Sequence, residues 1–341
     1  MSLVNNTLNV THPNAINGND TTEAERLALV IEEFTGDVEG TIQRRSVLES
    51  FIPVRTVKGT ATFTNHAVGK STFPYMTLFR SVTPGVPLDG VKSDFAKRAV
   101  TVDTVIASRE FFPLLEVFQT QMDTRKEVAQ EQGKEIAKFF DQALLIQAIK
   151  AARLAQSAYS GGTAGKPAGH GTGNIQTLAT ADRADPDKLY AAIKGALLKM
   201  ELQDVDPRED GCIIVVSPQD YHTLIDAEKL INMNYVTSAG NKVNDGWILK
   251  AIGVPVLASN NLPQSLITGH HLTTDMNDFD GDFTKTVASI FSPKAIMAGA
   301  TIPVESDVYY EKLYKSWVVD SHLAFSCGPN RVEFAAEVAV V

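Results

Sequence analysis

The sequence predicts an α+β protein, and three patterns carry this prediction. Two stretches that alternate like strands, VKGTATFTNH and AVTVDTVIAS, flank residues 69–90 and are interpreted as the legs of one long hairpin. Apolar residues recur at intervals of three and four from Leu114 to Leu154, which is typical of one long helix. Residues 301–341 alternate again for most of their length, which predicts a closing set of antiparallel strands.

The segment between the hairpin legs, GKSTFPYMTLFRSVTPGVPLDG, has a composition that disfavours a regular strand. Pro74, Pro84 and Pro87 cannot donate hydrogen bonds to a ladder, so they belong at edges, turns and irregular chain. The apolar side chains expected to be exposed there are Phe73, Tyr75, Leu78 and Phe79. A two-stranded ribbon alone is marginal in water, so this one is expected to lie on another molecule.

Composition limits the class of protein. The 341 residues have room for about two domains, and 44% hydrophobic with 21% charged residues is ordinary for a globular chain. A net charge of -9 disfavours a nucleic-acid reader, which needs clustered lysine and arginine. Cys212 and Cys327 stand in apolar runs and are predicted to be buried free thiols. Neither a signal peptide nor a membrane span is recognised, so synthesis in a reducing cytoplasm is expected.

Charge is distributed unevenly along the chain. Residues 51–100 hold seven basic and two acidic residues, whereas residues 1–50 hold eight acids and three bases. The acids that cluster are Glu32, Glu33, Asp37 and Glu39. Opposite charges on two separate segments suit contact between copies of one chain.

The predicted elements follow in order along the chain. The first ~20 residues are polar and aperiodic, which indicates an arm that orders on a partner, and helical segments follow from Thr22. The long helix would span roughly 60 Å if continuous from Leu114 to Leu154, with a possible kink at Gly133. Its predicted apolar stripe includes Ile136, Phe140 and Leu144. A Gly-rich loop comes next, at residues 157–178.

Residues 184–293 alternate between helices and short strands, which predicts a small α/β domain. One helix begins after Asp185, CIIVV is a buried strand, and a second helix begins at Ser217 and Pro218. GWILKAIGVPVLAS is interpreted as a short helix ending at Gly253 and a strand. The stripe of the first helix is predicted to contain Leu189, Ile193, Leu197 and Leu198. The buried face of the last strands is predicted to contain Leu313, Trp317, Val319, Leu323 and Phe325.

Several motifs resemble ligand-binding or catalytic sites, but each lacks a required feature. GGTAGKP lacks the spacing of a phosphate-binding loop, and DMNDFDGDFTKTV lacks ligands at both ends of a calcium loop. GHGTGN follows no predicted strand, and no G-x-S-x-G occurs. His270 and His271 are adjacent without a metal-binding partner, so they are interpreted as surface histidines. The sequence therefore predicts no catalytic residues, no cofactor and no metal.

The order of these elements resembles the major capsid protein of tailed double-stranded DNA bacteriophages, the Hong Kong 97 type fold. Within that family it looks closest to the capsid proteins of short-tailed podoviruses. The resemblance spans most of the chain from Phe34 onward. The motifs that carry it are FTGDVEGTIQRRSV, GKSTFP, TPGVPLDG, EIAKFFDQALL, VVSPQDYHTLI and IGVPVLASNNLP.

The resemblance implies a division of the chain into five segments. Residues 1–50 would be an N-terminal arm, and residues 51–108 would be the extended E-loop hairpin. Residues 109–183, with the spine helix and the Gly-rich loop, would form a peripheral domain together with the returning strands of residues 294–341. Residues 184–293 would be the α/β axial domain, whose loops meet at the centres of hexamers and pentamers.

The resemblance also implies partners. Copies of the subunit would form hexamers and pentamers of an icosahedral shell, assembled with a scaffolding protein and a portal, around double-stranded DNA that is held without sequence-specific contact. A cement protein is possible and no membrane is involved. The predicted intersubunit contacts are Lys70, Phe73, Tyr75, Phe79, Arg80 and Lys92 on the hairpin and Glu32, Glu33, Asp37 and Glu39 on the arm. Some family branches form isopeptide bonds, but nothing marks Lys58, Lys70 or Lys92 as reactive.

Three alternatives remain open at this stage. An encapsulin-type nanocompartment shares the implied fold, although its relatives generally have a shorter E-loop and no long acidic arm. A soluble α/β enzyme requires converging ionisable groups, which the sequence does not reveal. A fibre or adhesin is disfavoured by the long helix.

Overall fold

The structure is a computed structural model, and it describes residues 41, 46, 48, 51–68, 84–85, 95–113, 124–156, 158–159, 171–227 and 249–341. In this part of the chain the α-helices are α1 Thr124–Arg153, α2 Pro186–Glu201 and α3 Pro218–Ile225. The strands are β1 Val54–Thr56, β2 Thr62–Val68, β3 Phe95–Thr101, β4 Ile106–Pro113, β5 Asn174–Leu178, β6 Ile213–Val216, β7 Leu249–Ala251, β8 Val254–Ala258, β9 Leu266–Ile267, β10 Gly281–Asp282, β11 Thr286–Phe291, β12 Ile296–Glu311, β13 Ser316–Pro329 and β14 Ala335–Val340.

The described residues fall into two compact units. Unit 1 takes its residues from Met1–Ser46, Thr104–Phe140 and Ala300–Phe325, and unit 2 from Val47–Asp103, Asp141–Gly299 and Ser326–Val341. The helix α1 and the strands β12 and β13 each contribute residues to both units.

Unit 2 is built on a six-stranded mixed sheet with the order β5-β14-β11-β6-β8-β7. The strand β11 runs antiparallel to both of its neighbours, while β14 with β5 and β6 with β8 are parallel pairs. The residues of β6 and β11 are all buried, as expected for strands covered on both faces. The prediction that CIIVV contains a buried strand is confirmed.

The two predicted helix starts of unit 2 are confirmed. Before α2, the side chain of Asp185 accepts hydrogen bonds from the backbone N–H groups of Asp187 and Lys188. Before α3, the Ser217 hydroxyl accepts from the N–H of Asp220 at 3.1 Å. The predicted stripe of α2 is buried at Leu189, Ile193 and Leu197. Leu198 is the exception, since 52% of its surface is exposed.

The predicted helix before Gly253 is wrong. Residues 249–258 form the antiparallel pair of β7 and β8, with Ala251 opposite Val254. The two residues of the turn, Ile252 and Gly253, have φ angles of 53° and 84°. Positive φ at both positions is the geometry of a two-residue hairpin turn, so the glycine serves this turn instead of ending a helix.

Unit 1 contains the long strands β12 and β13 beside β4. β13 pairs antiparallel with β4, from Ser316 opposite Pro113 to Leu323 opposite Ile106. The Ser321 hydroxyl donates to Gln132 Oε1 at 2.7 Å, and the Phe140 and Phe325 rings lie 4.7 Å apart, so α1 packs on this sheet.

The buried face predicted for the last strands is confirmed at Val319, Leu323 and Phe325, while Trp317 is half-buried. Leu313 was wrongly placed on this face. It lies in the turn between β12 and β13, and 79% of its surface is exposed. The alternating pattern continues through this turn, although the turn residues are not part of the sheet.

The helix α1 is continuous for 30 residues, about 45 Å, and it passes through Gly133 without a break. Its stripe residues Ile136, Phe140 and Leu144 are buried, as predicted. From residue 143 to residue 152 its apolar side chains are buried on every face of the helix. The part of the prediction that concerns residues 114–123 lies outside the described residues.

A buried ion pair anchors the C-terminal end of α1 in unit 2. Arg153 donates from Nε and from one terminal nitrogen to the two carboxylate oxygens of Glu337, each at 2.7 Å. The Glu337 side chain is only 1% exposed, and Thr286 donates to it at 2.8 Å. The hydrogen bond to Glu337 raises the pKa of Arg153 despite its partial burial.

We expect Arg153→Met to lower the free energy of unfolding by about 3 kcal/mol, because it leaves the Glu337 carboxylate buried without a counter-charge. The matched control is Lys188→Met, which breaks the exposed pair of Lys188 with Asp182 at 2.7 Å. That variant is expected to lose less than about 1 kcal/mol. Denaturant titration of the unassembled subunit measures both, and equal losses would contradict the assigned role of the buried pair.

Candidate intersubunit surface

The ten predicted contact residues are not among those that the structure describes. Lys70, Phe73, Tyr75, Phe79, Arg80 and Lys92, like Glu32, Glu33, Asp37 and Glu39, all lie outside the described residues. What the structure does show is the base of the hairpin that would carry the first six. Pro84 and Gly85 are described as an exposed turn, in agreement with the Pro- and Gly-rich composition.

The base of the hairpin is an antiparallel ribbon of β2 and β3, which we call the ribbon. Its register runs from Thr62 opposite Thr101 to Val68 opposite Phe95. The predicted pairing of the two legs is therefore confirmed, but the downstream leg ends at Thr101. The residues that follow turn away into β4, which pairs with β13.

The two faces of the ribbon differ in character. The inner face contains Phe63 and Val100, which are 6% and 3% exposed. The outer face contains Thr62, Ala99 and Lys97, which are all exposed. Alternation along a strand places neighbouring side chains on opposite faces, so the ribbon is attached to unit 2 on one side and open on the other.

Glycines allow the inner face of the ribbon to approach the body of unit 2 closely. A Cβ atom at Gly299 would lie 2.8 Å from the Phe63 ring, and one at Gly328 would lie 2.7 Å from Val100 Cγ2. Both distances are too short for real contacts, so these sites accept no larger side chain without movement. Next to them, Asn65 Nδ2 donates to Asn330 Oδ1 at 3.0 Å.

The segment that resembled a calcium loop also holds the ribbon. Asn277 Nδ2 donates to the Thr101 carbonyl at 2.7 Å, and the Thr274 hydroxyl donates to Asp103 Oδ2 at 2.7 Å. Within the described residues there is no group of three or more His, Cys, Asp or Glu side chains placed to bind a metal ion. Asp280 and Asp282 accept hydrogen bonds from backbone N–H groups of nearby turns, whereas Asp278 pairs with Lys150 at 2.7 Å.

Asp280 is the residue that organises those turns. Its carboxylate accepts from the N–H groups of Gly269 and His270, both at 2.8 Å, and from the Thr273 hydroxyl at 2.9 Å. These hydrogen bonds hold its pKa below the ordinary value. His270 is half-buried and stacks on Phe279 with ring centroids 5.2 Å apart, so its interpretation as a surface histidine was wrong, whereas His271 is exposed.

Basic side chains surround the ribbon base. Arg55, Lys58 and Lys97 are exposed, and Arg98 is half-buried on the inner side. Lys58 is the one member of the three lysines considered for isopeptide bonds that the structure describes, and it lies in the loop before β2. The described basic residues of this stretch therefore lie on unit 2, three of them exposed, while Lys70, Arg80 and Lys92 lie outside the described residues.

Sequence reasoning missed a second exposed surface, which belongs to unit 1. Phe111 and Tyr314 are 54% and 69% exposed and form an edge-on ring pair at 6.1 Å, close in sequence to the exposed Leu313. Clustered exposed apolar side chains of this size mark contact with other molecules. The sequence signal for this surface was the stretch KLYK, which separates two long alternating stretches as a turn would. Alternation alone, followed through this stretch, predicts burial there.

The remaining reactive groups are enclosed. Burial raises the pKa of the Cys212 thiol to about 12, and it raises that of the fully buried Cys327 as well. The prediction of two buried free thiols is confirmed. Among the described residues, no helix combines the length and the hydropathy needed to cross a bilayer.

A family model described as Gp10A-like major capsid protein matches residues 81–309, well over half of the chain. The chain belongs to this family of major capsid proteins. It is a structural subunit of a capsid, where it assembles with copies of itself. A comparison with curated protein sequences finds no significant match.

Solved capsid structures share the fold of this capsid protein. The capsid protein of cyanophage P-SCSP1u is similar at 18% identity and a TM-score of 0.71, over 87% of this chain and 88% of that one. That of the mature capsid of bacteriophage PhiM1 has 23% identity and a TM-score of 0.69, over 87% of both chains. The structure from Mycobacterium phage Che8 has 14% identity and a TM-score of 0.55, over 82% of this chain and 85% of that one. The predicted α+β, Hong Kong 97 type capsid fold is confirmed.

We expect Gly328→Ala to destabilise this capsid protein by about 1–3 kcal/mol, because the new Cβ meets Val100 of the ribbon. The double variant with Val100→Ala should recover part of this loss, since the smaller side chain makes room. Gly195→Ala is the matched control, because its Cβ would meet only the flexible Gln176 side chain at 3.2 Å. Strictly additive effects in a double-mutant cycle, measured by denaturant titration, would contradict the contact.

Acidification is expected to loosen the loop of residues 266–282. The pKa of Asp280 is lowered, so its contribution to stability is full above its ordinary pKa and is lost as the pH falls through the folded value. Burial lowers the pKa of His270, so the unfolded loop takes up that proton first and stability again falls with pH. The opening free energy of these amides, obtained from hydrogen exchange after correction for the intrinsic exchange rate at each pH, should fall as the pH is lowered from about 7 to about 2, and Asp280→Asn should flatten the acidic end of this profile. An unchanged profile in that variant would contradict the role of Asp280.

Proposed function

We propose that this capsid protein builds the icosahedral head of a tailed bacteriophage, as hexamers and pentamers that enclose double-stranded DNA. The observation that carries the proposal is the family match over residues 81–309, which includes β3, α1 and most of the six-stranded sheet. The fold shared with phage capsids supports it. The encapsulin-type and enzyme alternatives are not favoured, because the matching family consists of major capsid proteins.

The five segments receive roles in this proposal. Residues 1–50 act as an arm and residues 51–108 as the E-loop hairpin that lies over a neighbouring subunit. Residues 109–183 and 294–341 form the peripheral domain, and residues 184–293 the axial domain. The ribbon supports the role of the hairpin, because its inner face is packed on unit 2 while its outer face is exposed.

The partners follow from the same proposal. Subunits are made in the host cytoplasm, assemble around a scaffolding protein with a portal at one vertex, and hold packaged DNA without reading its sequence. A cement protein on the outside is compatible with it. The protein has no catalytic activity of its own in this scheme, in keeping with its membership of a structural family.

Electron microscopy with light scattering tests the proposal directly. The subunit is expressed with and without the scaffolding partner from its own genome, purified, and examined by negative stain. Closed polyhedral particles or rings of five and six are expected. A monodisperse monomer or dimer under every condition would overturn the proposal.

The basic tip of the hairpin is proposed to lie across the acidic arm of a neighbour. Arg80→Glu or Lys92→Glu should then lower the resistance of assembled particles to salt and heat, since each substitution places like charges together. Lys188→Glu, on the exposed surface of α2, is the control for a general change of net charge. Particles that resist salt and heat like the wild type would argue against this contact.

A further inference from the structure

A cavity of ≈ 610 Å³ opens beside the inner edge of the ribbon in unit 2. Four parts of the chain line it: the ribbon at Arg98 and Val100, the end of α1 with the residues that follow it, the loop at residues 276–278, and the end of β13 at residues 327–329. We call it the ribbon-base pocket. Its volume is that of a site for a few side chains of a peptide segment.

The polar lining of the ribbon-base pocket is unbalanced toward positive charge. Lys150 is paired with Asp278, whose carboxylate lies 2.7 Å from the ammonium nitrogen. Arg98 has no such counter-charge among the described residues, and its buried Nε atom has no hydrogen-bond partner among them. The Nε atom itself is shielded, so a ligand would meet the part of the half-buried Arg98 side chain that lines the pocket, where an accepting group also supplies the missing counter-charge.

The chemistry of the missing group follows from the guanidinium. Its planar N–H groups match the two oxygens of a carboxylate, which also supplies the missing negative charge. The rest of the lining contains Val100, Leu154, Met276 and Pro329, which suit an apolar side chain. A segment that offers a carboxylate beside an apolar residue therefore fits both parts of the pocket.

The chain itself contains a segment with this pattern. Residues 32–39, EEFTGDVE, carry four carboxylates, with Phe34 directly after Glu33. This segment belongs to the acidic first 50 residues, whereas the unpaired positive charge of the pocket, Arg98, belongs to the basic stretch of residues 51–100. Charge complementarity of this kind orients contacts between copies, and a closed assembly repeats each contact many times.

We propose that the ribbon-base pocket receives residues 32–39 of a second copy of this capsid protein, with one carboxylate bound to Arg98 and Phe34 in the apolar part. The proposal rests on the proposed function, since it requires neighbouring subunits. The contact fixes the base of the ribbon at the same time as it joins two subunits. It also places the partner of Arg98 on a segment far away in sequence.

Charge reversal at two separate positions tests the pocket. Arg98→Glu should weaken subunit association roughly tenfold or more, because like charges then meet at the pocket. Lys194→Glu is the matched control, since it makes a like reversal of charge at an exposed position of α2, outside the ribbon and the pocket lining. Salt titration of assembled particles by light scattering measures both. Equal sensitivity of the two variants would overturn the proposal.

A double-mutant comparison with Arg98 tests whether residues 32–39 occupy the pocket. Combined replacement of the acids by amides, E32Q/E33Q/D37N/E39Q, should weaken assembly, and adding Arg98→Gln should cause little further loss. The pair E23Q/E25Q, outside the segment, is the control. Losses that add fully would overturn the assignment of residues 32–39 as the occupant. Circular dichroism of the unassembled variants separates a failure to fold from a failure to associate.

Disulfide trapping distinguishes a second copy from the same chain. One chain carries Glu33→Cys and another carries Arg98→Cys, and the two are assembled together under oxidising conditions. Covalent dimers are expected, whereas Lys97→Cys in place of Arg98→Cys should give few. Cys327 lines the pocket, so all variants carry Cys327→Ser, whereas the buried Cys212 lies outside the pocket lining. A link formed only within single chains that carry both cysteines would overturn the role of the second copy.

The outcomes separate this proposal from the proposed function. Wild-type protein that forms no particles with its scaffolding partner overturns both. Wild-type particles that form normally, with Arg98→Glu particles as resistant to salt as Lys194→Glu particles, overturn the pocket alone.

Discussion

The C-terminal half of α1 is buried on every side, and the organisation of unit 2 follows from this constraint. Between residues 143 and 152 its alanines, leucines and isoleucines are at most 1% exposed. Such a helix holds a charged side chain only where partners are supplied, as for Asp141, which accepts hydrogen bonds from the Leu48 N–H and Asn261, or where the helix ends. Its last turn therefore carries Lys150 and Arg153, which pair with Asp278 and Glu337. The chain that follows passes close to the helix end, where Gly173 leaves room for the Ala152 carbonyl.

The ribbon packs on the rest of unit 2 mainly where its side chains lie close to the backbone at glycines. Gly299 and Gly328 let Phe63 and Val100 reach the main chain, and Asn65 with Asn330 adds a hydrogen bond between side chains. Close packing of this kind gives a firm base with little bulk. For a capsid subunit this arrangement leaves the outer face of the ribbon available to neighbours, where modest contacts gain strength by repetition.

Three carboxylates among the described residues stabilise unit 2 itself. Asp220 is 2% exposed at its side chain and accepts from Arg183 at 2.8 and 2.9 Å and from the Ser217 hydroxyl at 2.7 Å. Asp280 organises a turn, and Glu337 closes the end of α1. Each carboxylate is satisfied by donors of its own unit, which explains why acid-rich motifs resembled ligand sites in the sequence. Arg98 differs, because its Nε lacks such a partner within the described residues.

The sequence by itself determined the elements whose signals are local. Asp185 and Ser217 began helices because a capping side chain acts within three residues, and the long stripe of α1 followed from helical periodicity. Only the tertiary structure decided that Leu313 is exposed, that residues 249–258 form a hairpin, and that Arg98 faces a cavity. Alternation and turn residues describe the chain's local geometry, but burial depends on which distant strand or glycine lies opposite. Contacts such as Val100 with Gly328 join residues far apart in sequence, and no local pattern encodes them.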